Sequence, residues 1–181
     1  MFHLNTKRLI DYWRSRGGEG QMPDRRAIDP THFPKLLSQV FVAGRQESGV
    51  YPLRLVGGFV AELHAQDLRS RNVLDLFRHK DRLDLKGALE AGRRRPEPVL
   101  VKAEVRTAGP SLPLEILFLP LAPGPGSPER FLGLYQPLGM VARLQGLPAL
   151  EIAVENVINM GPANQESPRL RLAALDGRRI A

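Results

Sequence analysis

The sequence predicts an α+β fold, in which a five-stranded antiparallel sheet has helices on one face and follows an N-terminal amphipathic helix. The first observation is the order of the patterns: two strand patterns, several short helical patterns and then three strand patterns. The second is that the last three strands are joined by connections too short for crossover helices. Because parallel strands need crossovers of about a dozen residues or more, the sheet is expected to be antiparallel.

The N-terminal part is expected to be helical. Leu9, Ile10 and Trp13 fall on one face of a helix predicted over residues 5–16, and Gly17 follows as a stop signal. A second, short helix is predicted to start at Pro30 and to run over residues 30–37, with the preceding aspartate as its N-cap. Residues 1–38 are therefore predicted to be a helical extension.

The first two strands are predicted over residues 39–45 and 50–56, with a turn between them. Because side chains alternate along a strand, Leu53 and Leu55 are expected to face one side of the sheet, and Arg54 and Val56 the other. The glycine pair that follows ends the second strand and begins a helical bridge. Its helices are predicted over residues 59–63, 73–77 and 80–91.

The last three strands are predicted over residues 99–107, 112–121 and 131–136. The first of them alternates apolar and polar residues, and a proline- and glycine-rich loop over residues 122–128 precedes the last. The predicted core therefore spans residues 39–137. Residues 138–181 are predicted to form a partly irregular C-terminal extension, in which 150–160 fit a helix or an extended strand.

Composition narrows the class of protein. A length of 181 residues fits one domain with extensions, and the absence of cysteine excludes disulfides, thiolate metal sites and cysteine nucleophiles. No segment has the pattern of a signal peptide or a membrane span, so we expect a cytoplasmic protein. Lys and Arg number 26 against 19 Asp and Glu, a formal net charge of +7 that favours anionic partners.

Spaced positions along the chain resemble the bacterial PAS-domain family PAS_5 from about Leu9 through Gln136. The resemblance is carried by Tyr12, Trp13, Pro23, Arg25, Ile28, Asp29 and Pro30, and then by Leu53, Arg54, Gly57, Glu62, Leu63, Asp67, Leu68 and Leu74. The family usually has a glycine after its Glu-Leu and Asp-Leu pairs. This chain has His64-Ala65 and Ser70 in those places.

The resemblance implies a non-catalytic sensory or signalling domain that binds a small ligand, docks a signalling partner protein, or does both. In PAS domains, the face of the sheet that the helices close can hold a small molecule or be filled by side chains. We expect the following residues to line such a pocket: Arg54, Leu55, Phe59, Leu63, Leu76, Phe77, Val101, Val105, Phe118 and Tyr135. Arg54 could instead face solvent or pair with Glu62.

The N-terminal helix and the arginines suggest other contacts. Leu9, Ile10 and Trp13 are expected either to cover the outer face of the sheet or to pair with a second subunit in a homodimer. An alternative function is a basic regulatory module that binds nucleic acid or an anionic nucleotide messenger. Its binding residues would be Arg25, Arg26, Arg93, Arg94 and Arg95.

The sequence does not favour an enzyme or a metal site. None of its serines stands in a Gly-x-Ser-x-Gly elbow, and its four histidines lack the spacing that places two imidazoles on one helix face. No particular cofactor is indicated. A haem would need His64 or His79 as its axial ligand, but we expect both to be ordinary surface or hydrogen-bonded histidines.

Overall fold

A computed structural model describes residues 1–18 and 20–161. One antiparallel sheet with the strand order β2-β1-β5-β4-β3-β6 forms its centre, and this confirms the predicted α+β class. The helices are α1 (Leu4–Arg16), α2 (Gly58–His64) and α3 (Arg82–Arg94), and the strands are β1 (Val40–Gly44), β2 (Leu53–Val56), β3 (Val99–Arg106), β4 (Leu112–Leu121), β5 (Arg130–Pro137) and β6 (Glu151–Asn159). Short 3-10 helices span Arg25–Ala27, Pro30–His32, Pro34–Gln39, Val73–Leu76, His79–Asp81 and Val141–Leu144.

The sheet has six strands where five were predicted. The additional strand, β6, pairs with β3 along its length, so part of the predicted C-terminal extension belongs to the sheet. The pairing shifts register between Lys102 and Ala103. Inward side chains of β6 therefore fall at Ile152, Val154 and Val157, a spacing that is neither strictly two nor helical. This bulge explains why the segment fitted a helix as well as a strand. Residues 162–181 lie outside the described part.

The sheet separates two apolar layers. Its inner face packs under α2, α3 and the 3-10 turns of the bridge, whereas its outer face packs under α1 and the turns that follow it. Strand β4 contributes to both layers, because Ile116 and Phe118 point inward while Leu117 and Leu119 point outward. A strand that is buried on both faces has a nearly continuous run of apolar residues in its sequence, and β4 is such a strand.

Helix α1 lies over the outer face of the sheet. Leu9, Ile10 and Trp13 are at most 3% exposed, and Trp13 Nε1 donates a 2.8 Å hydrogen bond to the carbonyl oxygen of Pro120. The helix begins after His3, whose Nδ1 accepts a hydrogen bond from the backbone N–H of Asn5. The helix is thus fastened to the sheet of its own chain by apolar contacts and by hydrogen bonds.

Two of the predicted local structures are wrong. The helix predicted over residues 30–37 is two separate 3-10 turns, because Pro34 cannot donate a backbone hydrogen bond and Phe33 before it takes a non-helical conformation. In β2, Ala43 pairs with Leu53 but Val42 pairs with Leu55, so Arg54 is the extra residue of a β-bulge. The bulge turns Leu55 to the outer face.

Candidate functional site

The predicted pocket residues divide between the two faces of the sheet. The interior cluster contains Leu63, Leu76, Phe77, Val101, Val105, Phe118 and Tyr135, with Phe59 partly buried against it. Each of the seven buried members is at most 6% exposed. Arg54 and Leu55 are exposed and do not belong to this cluster. Eight of the ten predicted pocket residues therefore lie in or against the interior cluster, and the two at the bulge, Arg54 and Leu55, do not.

Aromatic side chains fill the middle of the interior. The Phe41 ring contacts Phe118 and Tyr135 edge-on, with ring centroids 5.4 and 5.5 Å apart. Phe41 occupies the space above Gly133 so completely that a Cβ atom added to that glycine would lie 2.0 Å from the ring. The sequence interpretation missed Phe41. The available signal was Gly133, since a glycine inside a strand often marks a close approach.

One polar pair lies within this apolar interior. His64 is 4% exposed, and its Nε2 lies 3.3 Å from the Tyr135 hydroxyl. Burial, with a smaller contribution from the charge of Arg71, lowers the pKa of His64 to about 4. Burial also raises the pKa of Tyr135 above its ordinary value. At neutral pH both side chains are therefore uncharged, and the imidazole Nε2 is already engaged with Tyr135.

A small cavity opens beside this interior, between α2 and the 3-10 turn after β5. It has a volume of about 190 Å³, and Phe59, Leu63, Leu144 and Leu147 supply most of its apolar lining. Sites for drug-sized ligands and cofactors usually measure about 300–1,000 Å³. This cavity is too small for such a ligand unless the neighbouring side chains move.

A larger groove lies on the outer face. It has a volume of about 690 Å³, and its lining is mostly apolar side chains from β1, β2, β4, β5 and the 3-10 turns. Leu37 and Leu55 on its walls are 43% and 50% exposed, so the groove presents apolar side chains to solvent. Val42 and Leu132 form part of its floor, and Arg25 belongs to its rim. The sequence interpretation placed Leu55 in the wrong layer, because nothing in the pattern revealed the bulge.

The arginines of the predicted anion site have different environments. Arg93 donates to Glu90 and Glu129 across distances of 3.1–3.2 Å, so its charge is used inside the protein. The next two arginines along the chain, at the end of α3, are exposed. Arg25 and Arg26 line the outer groove, on the other layer of the fold. Arg54 forms no ion pair with Glu62 within the described ranges.

A buried ionic cluster joins α3 to the connection between β1 and β2. Glu90 is 5% exposed and accepts hydrogen bonds from Arg45 Nε at 2.9 Å and from the Tyr51 hydroxyl at 2.7 Å. Burial alone would raise the pKa of Glu90, but the hydrogen bonds from Arg45 and Tyr51 outweigh burial and lower it to about 2. The carboxylate is thus ionised and satisfied, and it supports the fold rather than acid–base chemistry.

Neither metal-binding clusters nor membrane spans are seen in the described part of the chain. Residues 1–18 and 20–161 contain no group of three or more His, Asp or Glu side chains placed to share an ion. Among the helices of those same residues, none is both long and apolar enough to cross a bilayer.

Comparison with known proteins identifies the family. No curated protein sequence matches the chain. Among solved structures, the LOV protein of Rhodobacter sphaeroides is similar at 14% identity over 65% of this chain and 72% of that chain, with a TM-score of 0.45. A substituted form of RsLOV is similar at 17% identity over 63% and 72%, also with a TM-score of 0.45. The PAS_5 family model, described as a PAS domain, matches residues 1–136. PAS domains are sensory and signalling modules, and this chain belongs to the PAS_5 family.

Proposed function

We propose that the protein is a non-catalytic signalling domain that acts by docking a partner protein on the outer face of its sheet. The observation that carries this proposal is the contrast between the two layers. The interior is filled by its own side chains, whereas the outer groove of about 690 Å³ leaves Leu55 half exposed. Exposed, contiguous apolar surface of this kind is a feature of protein interaction sites.

The polar groups of the interior support docking over catalysis. His64 faces Tyr135 in an apolar environment, and Glu90 is held by arginine and tyrosine donors. A catalytic centre needs convergent polar groups around a space that admits a substrate. These two polar clusters instead bond within the protein. We therefore propose that the domain signals by binding or releasing a partner protein in the groove.

Site-specific photo-cross-linking tests the proposal. A benzophenone amino acid is placed at Leu55 or at Leu37, on two walls of the groove, in cells that naturally produce the protein. The control position is Leu83 on α3, a leucine that is 72% exposed. Both groove positions should give a cross-linked product of the same mass, and Leu83 should not. Equal products from all three positions, or a product of twice the chain mass, would contradict docking of a different protein.

Native mass spectrometry of the freshly purified protein gives an independent check. We expect the mass of the polypeptide without an additional small molecule, because aromatic side chains occupy the interior. A small molecule retained at one per chain would contradict a function by protein docking alone. The same spectrum gives the number of subunits, which distinguishes a homodimer from a monomer without a bound partner.

A further inference from the structure

Four arginines lie at or beside one end of the outer groove. Arg25 and Arg26 belong to its lining, and Arg54 is the extra residue of the β2 bulge. Arg130 begins β5, where it is paired with Leu121, itself part of the groove lining. The four side chains come from three separate elements, so the fold and not a local run of sequence brings them together.

Arg130 is not satisfied by the protein around it. Its Nε is buried without a hydrogen-bond partner, and the charges of Arg25 and Arg54 act on it unfavourably. In residues 1–18 and 20–161, none of the four arginines forms an ion pair. A buried guanidinium N–H that has lost water and gained no acceptor is costly, and an incoming carboxylate would relieve that cost.

The nearby acidic side chains have other partners. Asp24 accepts a 2.8 Å hydrogen bond from the backbone N–H of Arg26 and so holds the 3-10 turn. Glu129, which precedes Arg130, accepts from Arg93 at 3.1 Å. The arginine end of the groove therefore presents positive charge beside an apolar floor. It would suit an occupant that carries negative charge next to apolar side chains.

We infer that the groove binds a partner segment in which acidic residues stand beside apolar ones, with its carboxylates on Arg54 and Arg130 and its apolar side chains against Leu55. This inference rests on the proposed docking function and specifies its partner. Planar guanidinium groups bind carboxylates in two-pronged fashion, which makes arginine well suited to this recognition.

Charge balance favours a segment of another protein over three other occupants. A fatty acid brings one carboxylate to four arginines, whereas a polypeptide can bring several. A second copy of this chain would present the same basic patch in a two-fold interface, so that the two arginine clusters would face the same groove. The chain's own residues 162–181 contain four arginines against two acidic residues, and their net charge is also of the wrong sign.

Fluorescence anisotropy on the full chain with defined peptides tests the charge preference. The probes are three labelled amphipathic peptides of about four helical turns, with identical leucine positions and with Glu, Gln or Lys at the polar positions. The Glu peptide should bind about tenfold tighter than the Gln peptide, and the Lys peptide should bind more weakly than both. Because the attraction is partly exposed to solvent, this preference should shrink between 0.05 and 0.5 M salt, roughly as Debye screening requires.

Variants locate the preference. Arg54→Gln with Arg130→Gln should bring the Glu and Gln peptides to nearly equal affinity. The control double variant, Arg69→Gln with Arg94→Gln, removes the same net charge from exposed positions outside the groove lining and should keep the preference. Leu55→Asp should weaken the binding of all three peptides.

The outcomes separate this inference from the proposed function. Equal binding of the Glu and Gln peptides by the unaltered chain, or an unchanged preference in the Arg54/Arg130 variant, would overturn the acidic partner. If cross-linking through Leu55 still succeeds, docking itself survives that result. Dodecanoate is the competitor that tests a fatty-acid-like ligand. If it displaces the Glu peptide, forms a one-to-one complex with the chain and binds more tightly than the peptide does, the groove is a site for a fatty-acid-like amphiphile instead.

Discussion

The Thr6 hydroxyl donates a 2.7 Å hydrogen bond to Glu115 Oε2, and this bond joins α1 to the middle of the sheet. Thr6 is 0% exposed and Glu115 2% exposed. Thr6→Val keeps the shape but leaves a buried carboxylate with one donor fewer, so it should lower the free energy of unfolding by about 1–3 kcal/mol. Urea denaturation measures the change. Thr31→Val, in an exposed turn, should change stability by less than about 0.5 kcal/mol, and an equal loss would contradict the role of the buried bond.

Gly133→Ala should destabilise the protein strongly. The added methyl group would lie 2.0 Å from the Phe41 ring, which cannot move without disturbing its contacts to Phe118 and Tyr135. We expect the free energy of unfolding to fall by about 3 kcal/mol, or the protein not to fold, because the substitution both overpacks the interior and displaces the ring. Thermal unfolding followed by circular dichroism is the measurement.

Gly87→Ala is the matched control for that substitution. Gly87 lies inside α3, and an added Cβ would meet nothing within 4 Å. Alanine should therefore raise stability by about 0.5–1 kcal/mol through helix propensity. A similar loss from both alanine substitutions would show that the Phe41 contact is not the cause.

Ala65→Gly should stabilise the protein. Ala65 caps the C-terminus of α2 in the left-handed region, with φ of 48°, where glycine carries no Cβ penalty. The expected gain is about 1 kcal/mol in chemical denaturation. Ala61→Gly, in the body of the same short helix, should instead cost about 1 kcal/mol. Loss of stability from both substitutions would mean that the left-handed conformation is not strained.

Left-handed backbone conformations occur at both departures from the family pattern. PAS_5 members usually have glycine near Ala65 and Ser70, and both residues have positive φ here, 48° and 65°. At both positions the backbone therefore adopts a conformation that glycine favours, although neither residue is glycine. From the sequence alone the positive φ could not be predicted, because alanine and serine rarely adopt the left-handed region and so give no signal of it.

The main elements could be predicted because alternation and helical spacing are local signals. The apolar face of α1 and the alternation of β3 are examples, since each buries one side of a regular element. The two bulges could not be predicted in this way. Each inserts one residue into a strand and reverses the facing of all later side chains, which hid β6 and moved Leu55 to the outer face.

The candidate site was predicted only in part for a related reason. Buried apolar residues such as Phe118 and Leu63 can be recognised by type, but an empty pocket and a filled core need the same residues. The outer groove depends on long-range pairing between β1, β2 and β5 and on the position of Arg130. None of these relationships is local in the chain.

Glu90→Gln should destabilise the fold and change its response to acid. Arg45, whose side chain is 20% exposed, would lose the closer of its two ionic partners and keep only Glu129 at 3.8 Å, at an expected cost of about 3 kcal/mol. The pKa of Glu90 is about 2 in the folded protein, below its ordinary value, so its contribution is present above pH 4.5 and lost as the pH falls toward 2. The difference in urea midpoint between the variant and the unaltered chain should be smaller at pH 3 than at pH 5. Glu155→Gln, on an exposed part of β6, should show neither effect.

His64 should make stability depend on pH in a different window. Its pKa is about 4 in the folded protein, against an ordinary value of 6.5, because burial opposes the charged form and Arg71 adds to that effect. Between those values the unfolded chain binds a proton that the folded chain does not, so stability is complete above pH 6.5 and falls as the pH decreases toward 4. From pH 7.5 to pH 5 the loss should be about 2 kcal/mol. His64→Gln should remove most of this slope, whereas His79→Gln, at an exposed position, should retain it; a slope that persists without His64 would show that another group is responsible.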